Sequence, residues 1–328
     1  MKRIHICLVS EQPIPNMIPV FMNQFFPDWI ILIYTREMKA QSQRLKNIFS
    51  KYNIEVSEIL TDPFDYRATG RVIEKIRNVC SKDELILNIT CGTKMMSLGA
   101  FEAFVKGDTS NHKVVYVDTI NRKVKTIFPQ TNAFEFENVI RFEDYLYSYG
   151  YKCSQYKKET NLILECGKII NDYIRSVLSC TTVRSSQQYF WQIFPRELYS
   201  KIMKEYNYGF WLEAFVYYMV FNFLQTEDNL RFNVVIKRSN DVSNELDVAF
   251  VYFNRLYIIE CKTGTDSNVT YKLNSISNTM GRQFCKAMYV STKTYSDIVL
   301  KRAEMSNIKY VHKDMILNFE RILAEWVK

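Results

Sequence analysis

Five short apolar runs, each separated from the next by a stretch long enough for a helix, restrict the fold of this chain more than any other feature. Ile4 to Val9, Trp29 to Tyr34, Val56 to Leu60, Leu85 to Ile89 and Val114 to Val117 are rich in Ile, Leu and Val. Runs that are apolar throughout, rather than alternating, belong to strands buried on both faces. Between them, Met17 to Phe26, Glu37 to Tyr52, Asp65 to Cys80 and Lys94 to Lys106 carry helical patterns of the length a right-handed β-α-β crossover needs. The spacing predicts an open, mostly parallel α/β sheet. A hairpin of Val114 to Val117 with Lys123 to Phe128, turning near Asn121, closes it.

The rest of the chain follows a different order. Leu162 to Leu178 and Gln187 to Tyr206 read as helices, followed by an apolar helix from Phe210 to Leu224. Three strands come next, Arg231 to Lys237, Leu246 to Phe253 and Leu256 to Lys262, with Asn254-Arg255 as the turn between the last two. A helix over Val269 to Met280, a strand over Ala287 to Ser291 and helices from Tyr295 and Asp314 complete an α-β-β-β-α-β arrangement. With 328 residues and 47% hydrophobic content, two cores can be filled. The expected division is 1–135 for a first domain, 136–160 for a linker and 161–328 for a helical lead-in and second domain.

Composition removes several classes of function. Eight cysteines are scattered without a C-x-x-C pair, which argues against a zinc ribbon or redox motif. Three histidines, His5, His112 and His312, form no metal or triad pattern. Nine glycines without G-x-G-x-x-G argue against a dinucleotide cofactor in the Rossmann-like first domain. A formal net charge of +8 favours phosphate-rich partners. The longest strongly apolar stretch, Phe215 to Leu224, is far short of the ~20 residues that span a bilayer, so no membrane partner and a cytoplasmic location are expected.

Chemistry concentrates at two places. Asp247 lies in one strand and Glu260-Cys261-Lys262 closes the next, so the hairpin brings them together. Glu260 and Lys262 share a face, while Cys261 offers its backbone carbonyl. Two carboxylates and a carbonyl suit Mg²⁺ or Mn²⁺, and the Lys262 ammonium can orient a water or neutralise charge on phosphorus. An isolated E-x-K on a solvated strand is common. Here the charges end an otherwise apolar strand, Tyr257-Ile258-Ile259, which favours a site. Asp247 followed by Glu260-x-Lys262 in this element order resembles the PD-(D/E)xK restriction-endonuclease-like superfamily, with Leu246 where the motif's name has proline. The resemblance implies a metal-dependent nuclease acting on DNA or RNA, with Asp247, Glu260 and Lys262 catalytic, Asp247, Glu260 and the Cys261 carbonyl on the metal, and Glu213 as an additional acid.

The second place is Asn88-Ile89-Thr90-Cys91-Gly92-Thr93-Lys94, which runs from a central strand into a helix. A helix start with small residues, two hydroxyls and an ammonium is an anion cradle, though its spacing is not that of a nucleoside triphosphatase loop. The loop Ser10-Glu11-Gln12-Pro13-Ile14-Pro15-Asn16 ends the first strand at the same edge. An ordinary strand-to-helix turn explains that loop taken alone; the pair of loops together points to a site. N-x-T-x-G-T-K-x-M with S-E-Q near the N-terminus resembles the CARF sensor domains of CRISPR-associated effectors. This resemblance implies ligand binding by Ser10, Glu11, Gln12, Ile14, Thr90, Gly92, Thr93 and Lys94. It also implies a homodimer, and a cyclic oligoadenylate activator, cyclic tetra-adenylate ahead of cyclic hexa-adenylate, in type III defence. Two rivals remain: a CARF-containing nucleic-acid-binding regulator without nuclease activity, and a nuclease-like fold serving as a scaffold. No R-x₄₋₆-H motif of the related ribonucleases occurs.

Overall fold

In the computed structural model the chain is described over residues 1–155, 160–180, 183–205, 209–238, 243–264, 266, 268–294 and 296–328. It divides into two units, Met1–Gly150 and Tyr151–Lys328. In the first, the apolar runs become β1 (Arg3–Leu8), β2 (Trp29–Tyr34), β3 (Glu55–Leu60), β4 (Glu84–Asn88) and β5 (His112–Asp118), all parallel. The strands β6 (Lys123–Phe128) and β7 (Asn132–Glu135) return antiparallel, giving the order β3-β2-β1-β4-β5-β6-β7. The crossovers are α1 (Ile14–Phe21), α2 (Lys39–Ser50), α3 (Tyr66–Val79) and α4 (Lys94–Phe104). Ile4, Ile6, Leu8, Leu85 and Leu87 on the sheet pack against Ile73, Met96, Ala100 and Phe104 of α3 and α4. The helix α1 starts three residues earlier than its pattern suggests. Pro15 occupies its first turn, where a missing N–H removes no intrahelical bond.

The stretch 136–160, expected to link the domains, is divided between the units. Its helix α5 (Phe142–Ser148) is tied to α2 and the turn after it: Lys51 and Tyr52 reach the Asp144 carboxylate at 2.9 and 2.6 Å, and Gln41 Nε2 donates to the Ser148 carbonyl at 2.9 Å. The next strand, β8 (Tyr151–Gln155), joins the second sheet.

The second unit continues with α6 (Thr160–Ser179), α7 (Val183–Ile193), α8 (Arg196–Glu205) and α9 (Phe210–Leu224). The single helix expected over Gln187 to Tyr206 is broken between α7 and α8. Pro195 lacks the N–H a helix interior needs and disfavours helical backbone at Phe194. Then follow β9 (Leu230–Arg238), β10 (Ser243–Tyr252), β11 (Arg255–Lys262), α10 (Val269–Thr279), β12 (Cys285–Ser291), α11 (Asp297–Met305), β13 (Ile308–His312) and α12 (Phe319–Val327). The helix expected from Tyr295 begins in the structure at Asp297; Tyr295 itself lies outside the described residues. The sheet order is β13-β12-β11-β10-β9-β8, antiparallel from β8 to β11 and parallel from β11 to β13. Apolar on every side, α9 is wrapped by α6 and the sheet. The helices approach so closely that a Cβ at Gly167 would collide with the Ala214 carbonyl and Tyr218 Cβ.

Candidate catalytic and ligand sites

The turn joining β10 to β11 consists of Phe253 and Asn254, both with positive φ (45° and 63°). Two such residues make the hairpin turn whose twist matches its strands, one position earlier than the sequence suggests. Val248 pairs with Ile259, so the next position sets Asp247 across from Glu260 on one face of the sheet. The Cys261 N–H donates to Asp247 Oδ2 at 2.7 Å, and Lys262 Nζ lies 3.0 Å from Glu260 Oε1. Glu213, from α9, belongs to the same group; Asn233 Nδ2 donates to its Oε2 at 3.2 Å. Exposure is 7% for Asp247, 2% for Glu260 and 9% for Glu213. Beside them opens a cavity of about 210 Å³ lined by Gly209, Glu213, Cys261, Lys262, Thr263, Gly264 and Asp266.

The electrostatics of this group are those of a site short of positive charge. Burial pushes the Asp247 carboxyl well above its ordinary range, and repulsion from Glu260 and Glu213 adds to it. Glu213 is raised by burial, against the opposing effects of the Asn233 hydrogen bond and Lys262. Burial alone would lower Lys262, but attraction to Glu260 and Asp247 outweighs it and the ammonium is held above its usual value. The Cys261 thiol is raised well above its normal value by burial, which leaves its main chain as the chemically useful part. Among the described residues no three His, Cys, Asp or Glu side chains form a ready metal cage. Two carboxylates and a carbonyl, with water completing the shell, remain a fitting hard-oxygen set for Mg²⁺ or Mn²⁺. A divalent ion there would relieve the repulsion that raises Asp247.

In the first unit, β1 and β4 are neighbours although the chain visits β2 and β3 between them. This is the switch point at which open α/β sheets bind ligands. It carries both candidate loops. Asn88 staples them, donating Nδ2–H to the Pro15 carbonyl at 2.9 Å while its Oδ1 accepts from Thr90 N–H and Oγ1–H at 3.0 and 2.6 Å. Gln12 is held by Tyr149, whose hydroxyl donates to its Oε1 at 2.9 Å. Gly92 has φ 83°, and a Cβ there would stand 3.0 Å from Leu8 Cβ. Thr93 caps α4, accepting from Met96 N–H and donating to the Pro63 carbonyl.

Several of the residues expected to bind ligand also hold this framework together. The Thr90 hydroxyl accepts from Val117 N–H at 2.8 Å as well as donating to Asn88, so both threonine hydroxyls serve the scaffold. Ile14 is wholly buried at the start of α1. Ser10 Oγ accepts from Gln12 N–H at 3.3 Å. Glu11 and Lys94 are exposed at the rim, with the first amides of α4 beside Lys94. Asn88 and Asn16 lie inside the two segments singled out in sequence, but their stapling role shows only in the structure, and Tyr149 carries no local pattern that marks it. Asn233 and Lys272 around the acids are equally silent in sequence, because each acts across strands or from a separate helix.

Family models of known proteins match both units. The Card1 CARF domain matches residues 4–145, and the Card1-like endonuclease domain matches residues 201–328. The chain belongs with the Card1-type CARF endonucleases. It is accordingly a nuclease fused to a CARF sensor, and the endonuclease match over residues 201–328 counts against the regulator without nuclease activity. Among solved structures, Can2 from Sulfobacillus thermosulfidooxidans in complex with cyclic tetra-adenylate is similar at TM-score 0.78 and 26% identity, covering 99% of each chain. Protein VC1899 from Vibrio cholerae shares the fold at TM-score 0.81 and 22% identity, over 98% of this chain and 97% of that one. A type III CRISPR defence DNA nuclease activated by cyclic oligoadenylate shares the fold at TM-score 0.65 and 17% identity; the match covers 94% of this chain and 48% of the other. No curated protein sequence matches the chain.

Proposed function

We propose that this protein is a homodimeric, metal-dependent nuclease of type III CRISPR defence, switched on by a cyclic oligoadenylate and acting in the cytoplasm. The observation that carries the catalytic half is the pair of buried acids Asp247 and Glu260 with the half-buried Lys262 at one end of the β10–β11 hairpin, in a unit that the Card1-like endonuclease model matches. Asp247, Glu260 and the Cys261 carbonyl would hold Mg²⁺ or Mn²⁺. When bound, the ion supplies Lewis-acid charge and a more acidic water for phosphodiester hydrolysis. The Cys261 N–H fixes Asp247 by its Oδ2. Lys262, kept charged by Glu260, donates to the phosphoryl oxygens as negative charge builds there. Glu213, positioned by Asn233, accepts a proton or orients a water at the cavity wall.

The sensor half rests on the switch-point cradle and on similarity to Can2, solved with cyclic tetra-adenylate. Lys94, the α4 amides, Gly92 and the Ser10 to Gln12 loop grip the ligand's phosphates and bases. Met95 (41% exposed) and Leu98 (59%) leave an apolar stripe on α4, fit for a second copy across a two-fold axis, so that a symmetric ring meets two cradles. The test is incubation of purified protein with Mn²⁺ or Mg²⁺ and single- and double-stranded DNA and RNA, with and without cyclic tetra- or hexa-adenylate. Cleavage that needs both metal and cyclic tetra-adenylate and is lost in Glu260→Gln is expected. Cleavage surviving that substitution would overturn the site.

A further inference from the structure

We propose that Lys272 is a second lysine of the catalytic site, an internal counter-ion that holds Glu260 in the metal-free enzyme and competes with the divalent cation for it. The proposal rests on the reading of Asp247 and Glu260 as metal ligands. Lys272 Nζ lies 2.9 Å from Glu260 Oε1 and 2.8 Å from Oε2, and donates to the Glu245 carbonyl at 2.9 Å. These contacts match the three N–H donors of an ammonium. An exposed pair of this kind would contribute little. Glu260 is 2% exposed, so leaving its charge unpaired is strongly unfavourable, and the pairing is correspondingly firm.

The two lysines on Glu260 are not equivalent. Lys262 is two residues away on the same strand and shares its face by construction. Lys272 comes from α10, whose Val269, Leu273 and Ile276 are buried; its side chain is 33% exposed against 36% for Lys262, so the two differ in the element that carries them and not in exposure. The four-carbon stem of Lys272 reaches in from the rim, so this is the ammonium that can withdraw. Both Glu260 oxygens carry Lys272 contacts, so a cation approaching Glu260 must share those oxygens with an ammonium and meets a like charge beside them.

The experiment is calorimetric titration of Mn²⁺ into metal-free protein, without substrate, for wild type, Lys272→Met, Lys272→Gln and Lys272→Arg, with folding checked by circular dichroism. Removing the charge should tighten Mn²⁺ binding roughly tenfold or more, since a neighbouring like charge is lost in a poorly solvated site. Lys272→Gln should behave as Lys272→Met, and Lys272→Arg should return the dissociation constant towards the wild-type value. Wild-type binding of Mn²⁺ with unchanged or weaker binding in both neutral variants would overturn this proposal alone. No Mn²⁺ binding by the wild type would overturn the metal-site reading and this proposal with it.

Discussion

Asp247 carries two opposite duties, and one substitution separates them. Its carboxylate is proposed to serve the reaction, while its buried charge, repelled by Glu260 and Glu213, works against the fold. A carboxyl whose folded-state pKa is raised binds protons that the unfolded chain releases, so stability falls as pH rises from the ordinary carboxylate range through the raised value. Asp247→Asn, which can still accept the Cys261 N–H, should therefore raise the metal-free melting temperature at neutral pH by about 2–4 °C, as roughly 1 kcal/mol does in a unit of this size. The gain should vanish on acidification, and cleavage should drop below detection while activator binding stays unchanged. Differential scanning calorimetry at several pH values, beside a nuclease assay, checks both; a lower melting temperature at neutral pH would contradict the repulsion argument. The Asp247 and Glu260-x-Lys262 pattern was legible in sequence because a hairpin makes their proximity a matter of counting. Asn233 was not: it sits in a strand with φ 45° and acts on Glu213 of a different element.

At the scale of elements, the strands buried on both faces were legible because nothing else explains a run such as Ile30 to Ile33. The short edge strands β7, β8 and β13 escaped, since a strand paired on one side tolerates polar residues and leaves a weak pattern. Helix packing is less readable still, because a glycine in a helix says nothing until its neighbour is known. Gly167 is the instructive position: its missing Cβ lets α6 lie against α9, the helix that carries Glu213. Gly167→Val forces the two helices apart and adds a β-branched side chain to a closed core, an overpacking cost of about 1–3 kcal/mol. The expected result is a lower melting temperature for the second unit and a weakened nuclease, with activator binding retained. Gly264, with nothing within 4 Å of an added Cβ, is the control position and should accept alanine without a change in stability.

For the whole molecule, the question is how occupancy of one unit reaches the chemistry of the other. A ligand shifts an equilibrium only by as much as it binds one state better than the other. Lys94→Ala should therefore move the midpoint of activation and leave the saturated rate nearly intact. Loss of one charge-assisted contact per cradle amounts to roughly tenfold in affinity, and up to a hundredfold where one ring meets two cradles. Titration of cyclic tetra-adenylate against cleavage rate gives the result directly, and an unchanged midpoint would make residues 90–94 an ordinary helix start. The dimer itself is tested one turn further along α4. Leu98 is 59% exposed beside Met95, and Leu98→Glu replaces an apolar contact with a charge that meets its own copy across a two-fold axis, where like charges repel. The variant should run as a monomer in light scattering, with each monomer keeping a folded nuclease unit. Half a cradle binds the ring weakly, so activation should fail at activator concentrations that saturate the wild type and recover partly as protein concentration rises. A Leu98→Glu protein that stays dimeric and responds normally would place the two-fold contact elsewhere than this face of α4.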